Sequence, residues 1–393
     1  MRKAFKKLAL RILFAIATFS SACAAAAAEP VKIGISLGLT GQYRIPSEMQ
    51  KRAYELWRDE VNARGGLLGR LVRLSISDDR SDPALAVRIY REFVQNKSVD
   101  HVIGPYSSEL TAAVAPVVEK AGFPMLAAGA AADEIWTQGY RNVLGMWTPA
   151  SRYSQGMLRL AHEAGLRTIA ILHADDPFSE AIAGGARKWA PFLKLQVVLD
   201  LRFAKGTTDL TDHLRRARNA RAEVVVVAGH REEAVNARRA AAHLGWKPRV
   251  FFATVGPALP EWKEVMGELA DGAFSTSIWE PHESVIYPRS QEFTRAFRKR
   301  YGIDPSYHAA TAYAAGQVME AALAQSKSLN REAMREALFG LDIQSVIGRF
   351  AVDHTGMQVK RLEMILQWQR GRKEIVWPEA VRSARPVFRA ATP

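Results

Sequence analysis

Apolar runs and amphipathic segments alternate along this chain, with short turns between them. The apolar run Val31–Leu39 predicts a strand, and the following segment, which ends near Arg64, carries apolar side chains at helical spacing. The pattern repeats with a strand at 71–77, a helix at 83–97 and a strand that begins at Val102. Because strands that alternate with helices pair in parallel, we expect a parallel sheet with helices on both faces.

The same alternation begins again at Ser151 and predicts a second sheet. The predicted strands of this second half are 168–173, 195–203, 224–228, 249–253 and 272–278, and they alternate with helices. Three more helices follow, at 288–301, 306–326 and 330–339, and then two strands, at 346–352 and 362–369. No linker rich in Gly, Ser or Pro separates the halves. We therefore expect two parallel-sheet lobes that are joined by several crossings and enclose a cleft.

One stretch of the first half, Asp100–Ala132, contains two strand ends that are followed by turns of small residues. The strand Val102–Gly104 leads through Pro105–Ser108 into a helix, and the strand Phe123–Ala127 opens into Gly129–Ala132. Backbone N–H groups at such strand ends and helix starts bind the anionic or carbonyl end of small ligands. No side chain in the stretch is typical of a catalytic acid, a catalytic base or a metal ligand, so it predicts binding.

The first 28 residues differ from the rest of the chain. Basic residues come first, an apolar run follows at Ile12–Phe19, and small residues fill Ala24–Ala28. This order predicts a secretory signal peptide at 1–28, with cleavage after Ala28 and a periplasmic location. A cysteine at this place leaves lipidation of Cys23 open as an alternative. If cleavage follows Ala28, the mature chain has no cysteine and its core alone stabilises it.

The formal net charge of +14 argues only weakly for an anionic partner. Cleavage of the signal peptide would lower it to +9, because the segment contains five basic and no acidic residues. The remaining basic residues are scattered along predicted helices at the spacing of solvated faces. Together with the export signal, this distribution leads us to expect no nucleic-acid partner.

Catalytic and metal-binding motifs are weak in this sequence. Gly34–Gly38 matches G-x-S-x-G, but apolar alternation continues through Ser36, which places it within a strand rather than at the required sharp turn. His162–Glu163 and His282–Glu283 lack the second histidine of a zinc motif, and Asp78–Asp79 are expected to be turn and surface residues. We expect no enzymatic activity, no cofactor and no metal ion. An exported hydrolase that uses Ser36 remains an alternative.

Four motifs of the first half resemble the periplasmic branched-chain amino acid binding protein family. They are Gly34–Gln42, Val61–Arg70, Asp78–Pro83 and Val102–Ser108, and the resemblance extends over about 31–370. It implies an α/β fold with two Rossmann-like parallel-sheet lobes and a hinged cleft, the type I periplasmic binding protein. Members are monomeric solute receptors of ABC uptake transporters, so the resemblance implies a small-molecule ligand and a membrane permease as partners.

The resemblance also implies where the chain passes from one lobe to the other. Three crossings are expected, near 148–151, 278–281 and 343–346. The resulting first lobe comprises 29–149 and 280–344, the second lobe 150–279 and 345–380, and a tail 381–393.

The family's ligand contacts can be transferred position by position, and several of them change. The serine that holds a ligand carboxylate matches Ser107 or Ser108, and Ala130 also matches the family. Elsewhere Ala131 replaces a threonine, Phe178 and His230 replace tyrosines, and Val255 replaces the acidic residue that pairs with a ligand ammonium. Tyr43 and Tyr106 are expected as walls of the pocket, and Trp279 is a further candidate wall.

These changes bear on the ligand. A buried ammonium without a partner costs several kcal/mol, which is more than half of the about 8 kcal/mol that a micromolar site delivers. Unless Asp175, Asp176 or Glu280 supplies the missing charge, an α-amino acid is disfavoured, and we expect a carboxylate without an amine, aromatic or aliphatic. The alternatives are a branched-chain or other amino acid or amide as the ligand, and a two-lobed receptor that reports to a signalling system.

Overall fold

The computed structural model describes residues 28–361 and 363–390. The predicted signal peptide therefore lies outside the described residues apart from Ala28, and so does Cys23. Within these ranges, no helix combines the length and the apolar character that a membrane span requires.

The described elements follow the predicted alternation of strands and helices. The strands are β1 Val31–Leu37, β2 Val72–Asp78, β3 His101–Ile103, β4 Met125–Ala127, β5 Val143–Gly145, β6 Thr168–Ala174, β7 Gln196–Phe203, β8 Val224–Ala228, β9 Val250–Ala253, β10 Ala273–Ser277, β11 Ile343–Ser345, β12 Gly348–Phe350, β13 Met364–Gln369 and β14 Arg372–Trp377. The helices are α1 Arg44–Ala63, α2 Pro83–Gln95, α3 Ser108–Ala121, α4 Glu134–Thr137, α5 Gln155–Glu163, α6 Pro177–Phe192, α7 Thr211–Asn219, α8 Arg231–His243, α9 Trp262–Met266, α10 Ser290–Tyr301, α11 Tyr307–Ser326 and α12 Arg331–Gly340.

Two sheets carry the two lobes and confirm the predicted fold class. The first sheet has the order β2-β1-β3-β4-β5, and all its pairs are parallel. The second has the order β14-β13-β10-β9-β8-β6-β7, in which β6 to β10 pair in parallel and β13 and β14 add antiparallel strands. In both sheets the carboxyl ends of the parallel strands lie at one edge, where loops of such folds bind ligands.

The central strands are buried because helices cover both faces of each sheet. All five residues of β8, Val224–Ala228, are buried, as a parallel strand with two covered faces requires. The hydrophobic core of the first lobe also includes Phe178, Ala228 and Val255 from the second lobe. The two lobes are therefore in direct contact across the cleft, in a closed arrangement.

Close packing of α11 against α1 sets the position of one wall of the cleft. A Cβ atom on Gly316 would lie 2.2 Å from the Trp57 ring, so only glycine allows this approach of the two helices. The Trp57 indole N–H donates to Glu320 Oε1 at 2.8 Å and fixes the same contact. The first turn of α11 contains Tyr307 and His308, and the His308 ring lies against the ring of Tyr106, which follows β3.

The third crossing between the lobes lies further along the chain than 343–346. Val346 N donates to Gln317 Oε1 of α11 at 2.9 Å, and β11 pairs with β12. Gly145 N, at the end of β5, donates to Gly356 O at 2.7 Å, so the chain still follows the first sheet there. Residues 345–350, which the sequence assigned to the second lobe, thus pack with the first, and the chain enters the second sheet at Met364.

The segment expected as a tail at 381–393 packs on the second lobe over its described part. Val387 exchanges hydrogen bonds with the side chain of Gln367, at 2.8 and 2.6 Å. The ring of Phe388 stacks on Phe274 with centroids 5.8 Å apart. The terminal segment is therefore an integral part of the second lobe's surface.

Candidate functional site

A row of aromatic and imidazole rings crosses the cleft between the lobes. Phe178 at the start of α6 lies against His230 with ring centroids 5.3 Å apart, and His230 lies 5.4 Å from Tyr43 of the first lobe. Tyr43 meets Tyr106 edge-on at 5.3 Å, and Tyr106 meets His308 at 5.1 Å. Four residues that the sequence predicted for ligand binding are therefore brought together, because each follows a strand end at the cleft.

Further rings, which sequence reasoning missed, extend this row in both lobes. Trp147 lies 6.3 Å from Tyr106, 5.6 Å from His308 and 5.5 Å from Tyr307, measured between ring centroids. Tyr153 packs edge-on against Phe178 at 5.6 Å. We call the eight residues Tyr43, Tyr106, Trp147, Tyr153, Phe178, His230, Tyr307 and His308 the cleft ring cluster.

The structure separates the roles of the two adjacent serines. The Ser108 hydroxyl oxygen accepts hydrogen bonds from Ala131 N at 3.0 Å and Ala132 N at 3.1 Å, so it holds the turn after β4 in place. The Ser107 hydroxyl is buried and has no hydrogen-bond partner. Ser107 is thus the serine whose hydroxyl is available to a ligand, whereas Ser108 and Ala131 bind each other.

Ala130 and Val255 occupy buried positions at strand ends, as their neighbours in the sequence suggest. Ala130 follows β4 in the first lobe and is fully buried. Val255 follows β9 in the second lobe and is 4% exposed. An apolar side chain therefore stands at the position where the family resemblance implied a carboxylate.

Asp176 is the buried carboxylate of the cleft, and its oxygens are already engaged. It caps α6 by accepting hydrogen bonds from Phe178 N at 3.0 Å and Ser179 N at 3.1 Å, and from the Ser179 hydroxyl at 2.7 Å. His230 Nε2 lies 3.7 Å from Asp176 Oδ1. Burial alone would raise the pKa of Asp176, but His230 and the Ser179 hydrogen bonds outweigh it and hold that pKa well below its ordinary value.

Asp175, Glu280 and Trp279, which were considered as partners of a ligand ammonium or as a wall of the pocket, have other contacts. Asp175 is exposed and accepts a hydrogen bond from Lys205 N at 2.6 Å. Glu280 pairs with Lys373 Nζ at 2.7 Å, and burial raises its pKa. The Trp279 ring packs against Phe293 at 5.6 Å and its indole N–H donates to the Ser290 hydroxyl, so Trp279 belongs to the core of the first lobe and not to the cleft ring cluster.

One ion pair joins the lobes at the edge of the cluster. Lys205, which follows β7 in the second lobe, pairs with Glu109 in the first turn of α3. The Glu109 carboxylate also accepts the Tyr43 hydroxyl at 3.2 Å, and Lys205 Nζ lies 5.3 Å from the Tyr43 ring centroid. The sequence analysis had singled out neither Glu109 nor Lys205.

The surroundings of the Ser36 hydroxyl are not those of a catalytic nucleophile. Ser36 is fully buried in β1, and its hydroxyl donates to Asp79 Oδ2 at 2.7 Å. Asp79 is itself fully buried, which corrects its expected position as a surface residue. Burial raises the pKa of Asp79 to about 6, even though the hydrogen bonds from Ser36 and from Ser81 N lower it. Among residues 28–361 and 363–390, no three His, Cys, Asp or Glu side chains are grouped to hold a metal ion.

Comparison with known proteins gives the arrangement a context. A family model described as periplasmic binding protein matches residues 30–373. The chain is 26% identical over 374 residues to the Leu/Ile/Val-binding protein homolog 7 of Brucella melitensis, and the match covers 91% of the chain and 94% of that relative.

Two solved structures share the fold. The substrate-binding protein LivJ of a branched-chain amino acid transporter from Streptococcus pneumoniae, in complex with isoleucine, has a TM-score of 0.80 at 22% identity, and the match covers 89% of this chain and 100% of that one. A solute-binding protein of an ABC transporter from R. palustris, in complex with benzoate, has a TM-score of 0.76 at 21% identity, with 88% and 95% covered.

Proposed function

Since this chain belongs to the periplasmic binding protein family, we propose that it is the periplasmic receptor of an ABC uptake transporter for a small carboxylate without an α-amine. The ligand binds between the lobes at the cleft ring cluster, with its carboxylate toward Ser107 and its apolar part against the rings. The closed complex then docks on the permease subunits of the transporter in the membrane.

The shape and polarity of the cluster support an apolar, ring-bearing acid. Ligand pockets are lined mainly by apolar and aromatic side chains with a few polar groups that fix orientation. Here the Ser107 hydroxyl is buried without a partner at the start of α3, where backbone N–H groups and the helix dipole favour a negative charge.

The hydrogen bonds of the Asp176 carboxylate are the main evidence against a ligand with an amine. Its oxygens already accept three hydrogen bonds, and His230 lies beside them. An ammonium would compete with a helix cap for this carboxylate, and Val255 offers no charge in its place. Glu109 is likewise engaged, with Lys205 and with the Tyr43 hydroxyl. Since an unpaired buried ammonium costs several kcal/mol, an amine-free acid is favoured.

An α-amino acid is the second candidate ligand, and one observation favours it. Oε1 of Glu261 and Oε1 of Glu280 are both buried without a hydrogen-bond partner. The second oxygen of Glu280 already pairs with Lys373 at 2.7 Å. Glu261 pairs with Arg231 at the longer distance of 3.5 Å. A ligand ammonium would have to share one of these pairs.

Matched acids with and without an amine test the proposal. Thermal denaturation is measured with isocaproate against leucine, with hydrocinnamate against phenylalanine, and with benzoate. A ligand at 100 times its dissociation constant adds about 2.7 kcal/mol to the free energy of unfolding. We expect at least one amine-free acid to stabilise the protein more than its amino acid partner, with the dissociation constants then measured by calorimetry. Stabilisation by leucine or phenylalanine but by none of the amine-free acids would contradict the proposed ligand class.

A further inference from the structure

Two buried side chains of the cleft ring cluster have polar atoms that nothing in the described chain satisfies. His308 is fully buried, and neither of its ring nitrogens has a hydrogen-bond partner. The indole N–H of Trp147, which is 3% exposed, also lacks an acceptor. A buried donor or acceptor without a partner loses its hydration and gains nothing in exchange, so a partner at these atoms would be stabilising.

The position of these atoms distinguishes them from other unpaired groups. The His308 and Trp147 rings lie 5.6 Å apart, and both contact Tyr106, the residue that precedes Ser107. His101 is also buried with both ring nitrogens unpaired, but it begins β3, at the edge of the first sheet that faces away from the cleft. The first pair, unlike His101, is therefore in contact with the rings that line the cleft.

The chemistry of the two rings selects the group that can satisfy both. An indole N–H is only a donor, whereas a neutral imidazole has one donor and one acceptor nitrogen. Burial, and after it the charge of His230, lowers the pKa of His308 to about 3, so the ring is neutral near pH 7. A hydroxyl group accepts from the indole and donates to the imidazole. A carboxylate could accept from the indole and from the N–H of the imidazole, but it would leave the unprotonated imidazole nitrogen without a donor, and an ammonium could not accept from the indole.

We propose that Trp147 and His308 form a second polar subsite of the ligand pocket, which binds a hydroxyl group, and that the ligand is a hydroxylated acid. This inference rests on the proposed function and refines its ligand class. The Trp147 indole donates to the hydroxyl oxygen, and the hydroxyl donates to the unprotonated nitrogen of His308. The surrounding rings exclude water, which makes these hydrogen bonds strong and their absence costly.

Calorimetry with benzoate and with ortho-, meta- and para-hydroxybenzoate, and with phenylacetate and its hydroxylated forms, tests the subsite. We expect at least one hydroxylated acid to bind the wild-type protein tenfold or more tightly than its parent acid. In His308→Phe and in Trp147→Phe this ratio is expected to fall below about threefold, while the parent acids keep most of their affinity. The two variants remove hydrogen bonds that come from different parts of the chain, so the test fails only if both variants misfold. Circular dichroism of each variant shows whether it is folded.

His101→Phe and Trp279→Phe are the matched controls, because they make the same substitutions in the first lobe outside the cleft ring cluster. Both should keep the wild-type ratio. Parent acids that bind without gain from a hydroxyl at any position would overturn the subsite and leave the proposed function standing. A preference that persists in both His308→Phe and Trp147→Phe would also overturn it. If no acid of either kind binds, the proposed ligand class fails, and the subsite fails with it.

Discussion

The two lobes contribute different kinds of groups to the cleft. The first lobe supplies most of the rings and the buried hydroxyl of Ser107, and Ser108 holds together the turns of that surface. The second lobe supplies the buried carboxylate of Asp176 with His230 and the interlobe cation Lys205, whereas the charge that the first lobe places there is Glu109, the partner of Lys205. We infer that the first lobe determines which ligand fits, and that the second lobe determines how firmly the cleft closes over it.

The same contrast exists between one buried carboxylate of each lobe. Asp79, in the first lobe, has a pKa raised to about 6, because burial outweighs its hydrogen bonds from Ser36 and Ser81. Asp176, in the second lobe, has a pKa held well below its ordinary value of 3.8, although burial acts against this. The difference lies in the partners, since a nearby imidazole and a helix start stabilise the charge of Asp176.

The largest effect that we expect is an opposite pH dependence of the two carboxylates. The folded protein binds a proton on Asp79 more tightly than the unfolded chain does, so this stabilisation is complete below about pH 4 and is lost as the pH rises through about 6. For Asp176 the stabilisation is present above the unfolded pKa and is lost as the pH falls below it. At pH 7.5 we expect Asp79→Asn to be more stable than the wild type and Asp176→Asn less stable, each by on the order of 2 kcal/mol.

Urea denaturation at pH 7.5 and pH 5 measures both changes. The advantage of Asp79→Asn should shrink at pH 5, where the wild-type carboxyl is largely protonated in the folded state. The deficit of Asp176→Asn should be nearly the same at both values, because its pKa lies below them. If both variants shifted the free energy of unfolding in the same direction at pH 7.5, the contrast between the two lobes would not hold.

The next largest effect separates the two serines of the first lobe. We expect Ser107→Ala to weaken ligand binding tenfold or more, which corresponds to about 1.4 kcal/mol, with the melting temperature nearly unchanged. Ser108→Ala removes the acceptor of two backbone N–H groups, so it should lower both the affinity and the melting temperature. Calorimetry and thermal denaturation of the two variants distinguish a ligand contact from a structural one. Unchanged affinity in Ser107→Ala would remove Ser107 from the site.

The fold could be predicted from the sequence because its signals are local and repeated. Apolar strands and amphipathic helices alternate with capping residues such as Asp82, whose side chain accepts a hydrogen bond from Leu85 N. Strand order within each lobe follows from parallel pairing and short connections. The third crossing was misplaced because β11 and β12 form a short hairpin, and its lobe is decided by contacts with distant residues such as Gln317.

The site was only partly predictable, because its polar contacts join residues that are far apart in the chain. Sequence spacing cannot distinguish Ser107 from Ser108, since the choice depends on which hydroxyl meets the turn after β4. Asp79 was expected in a surface turn, because its neighbours in the sequence do not show that it packs against Ser36 of β1. Trp147 and His308 are 161 positions apart, and tertiary packing, not a local sequence pattern, brings their rings within 5.6 Å of each other.

The smallest effect that we expect concerns the closing of the two lobes over the ligand. It tests whether the charge of Lys205 in the second lobe stabilises the closed form. Lys205 is 20% exposed and Glu109 is 35% exposed, so their ion pair is partly screened and is worth about 0.5–1 kcal/mol. We expect Lys205→Ala to weaken binding about two- to fivefold, and less in high salt, because closure brings the two charges together.

Arg215→Ala is the control, since its ion pair with Asp212 lies within one helix of the second lobe. The combined reversal Glu109→Lys and Lys205→Glu should recover part of the lost affinity, which neither reversal alone can do. If Lys205→Ala and Arg215→Ala had equal effects on affinity, closure would depend on ring contacts alone, and the second lobe would differ from the first in degree only.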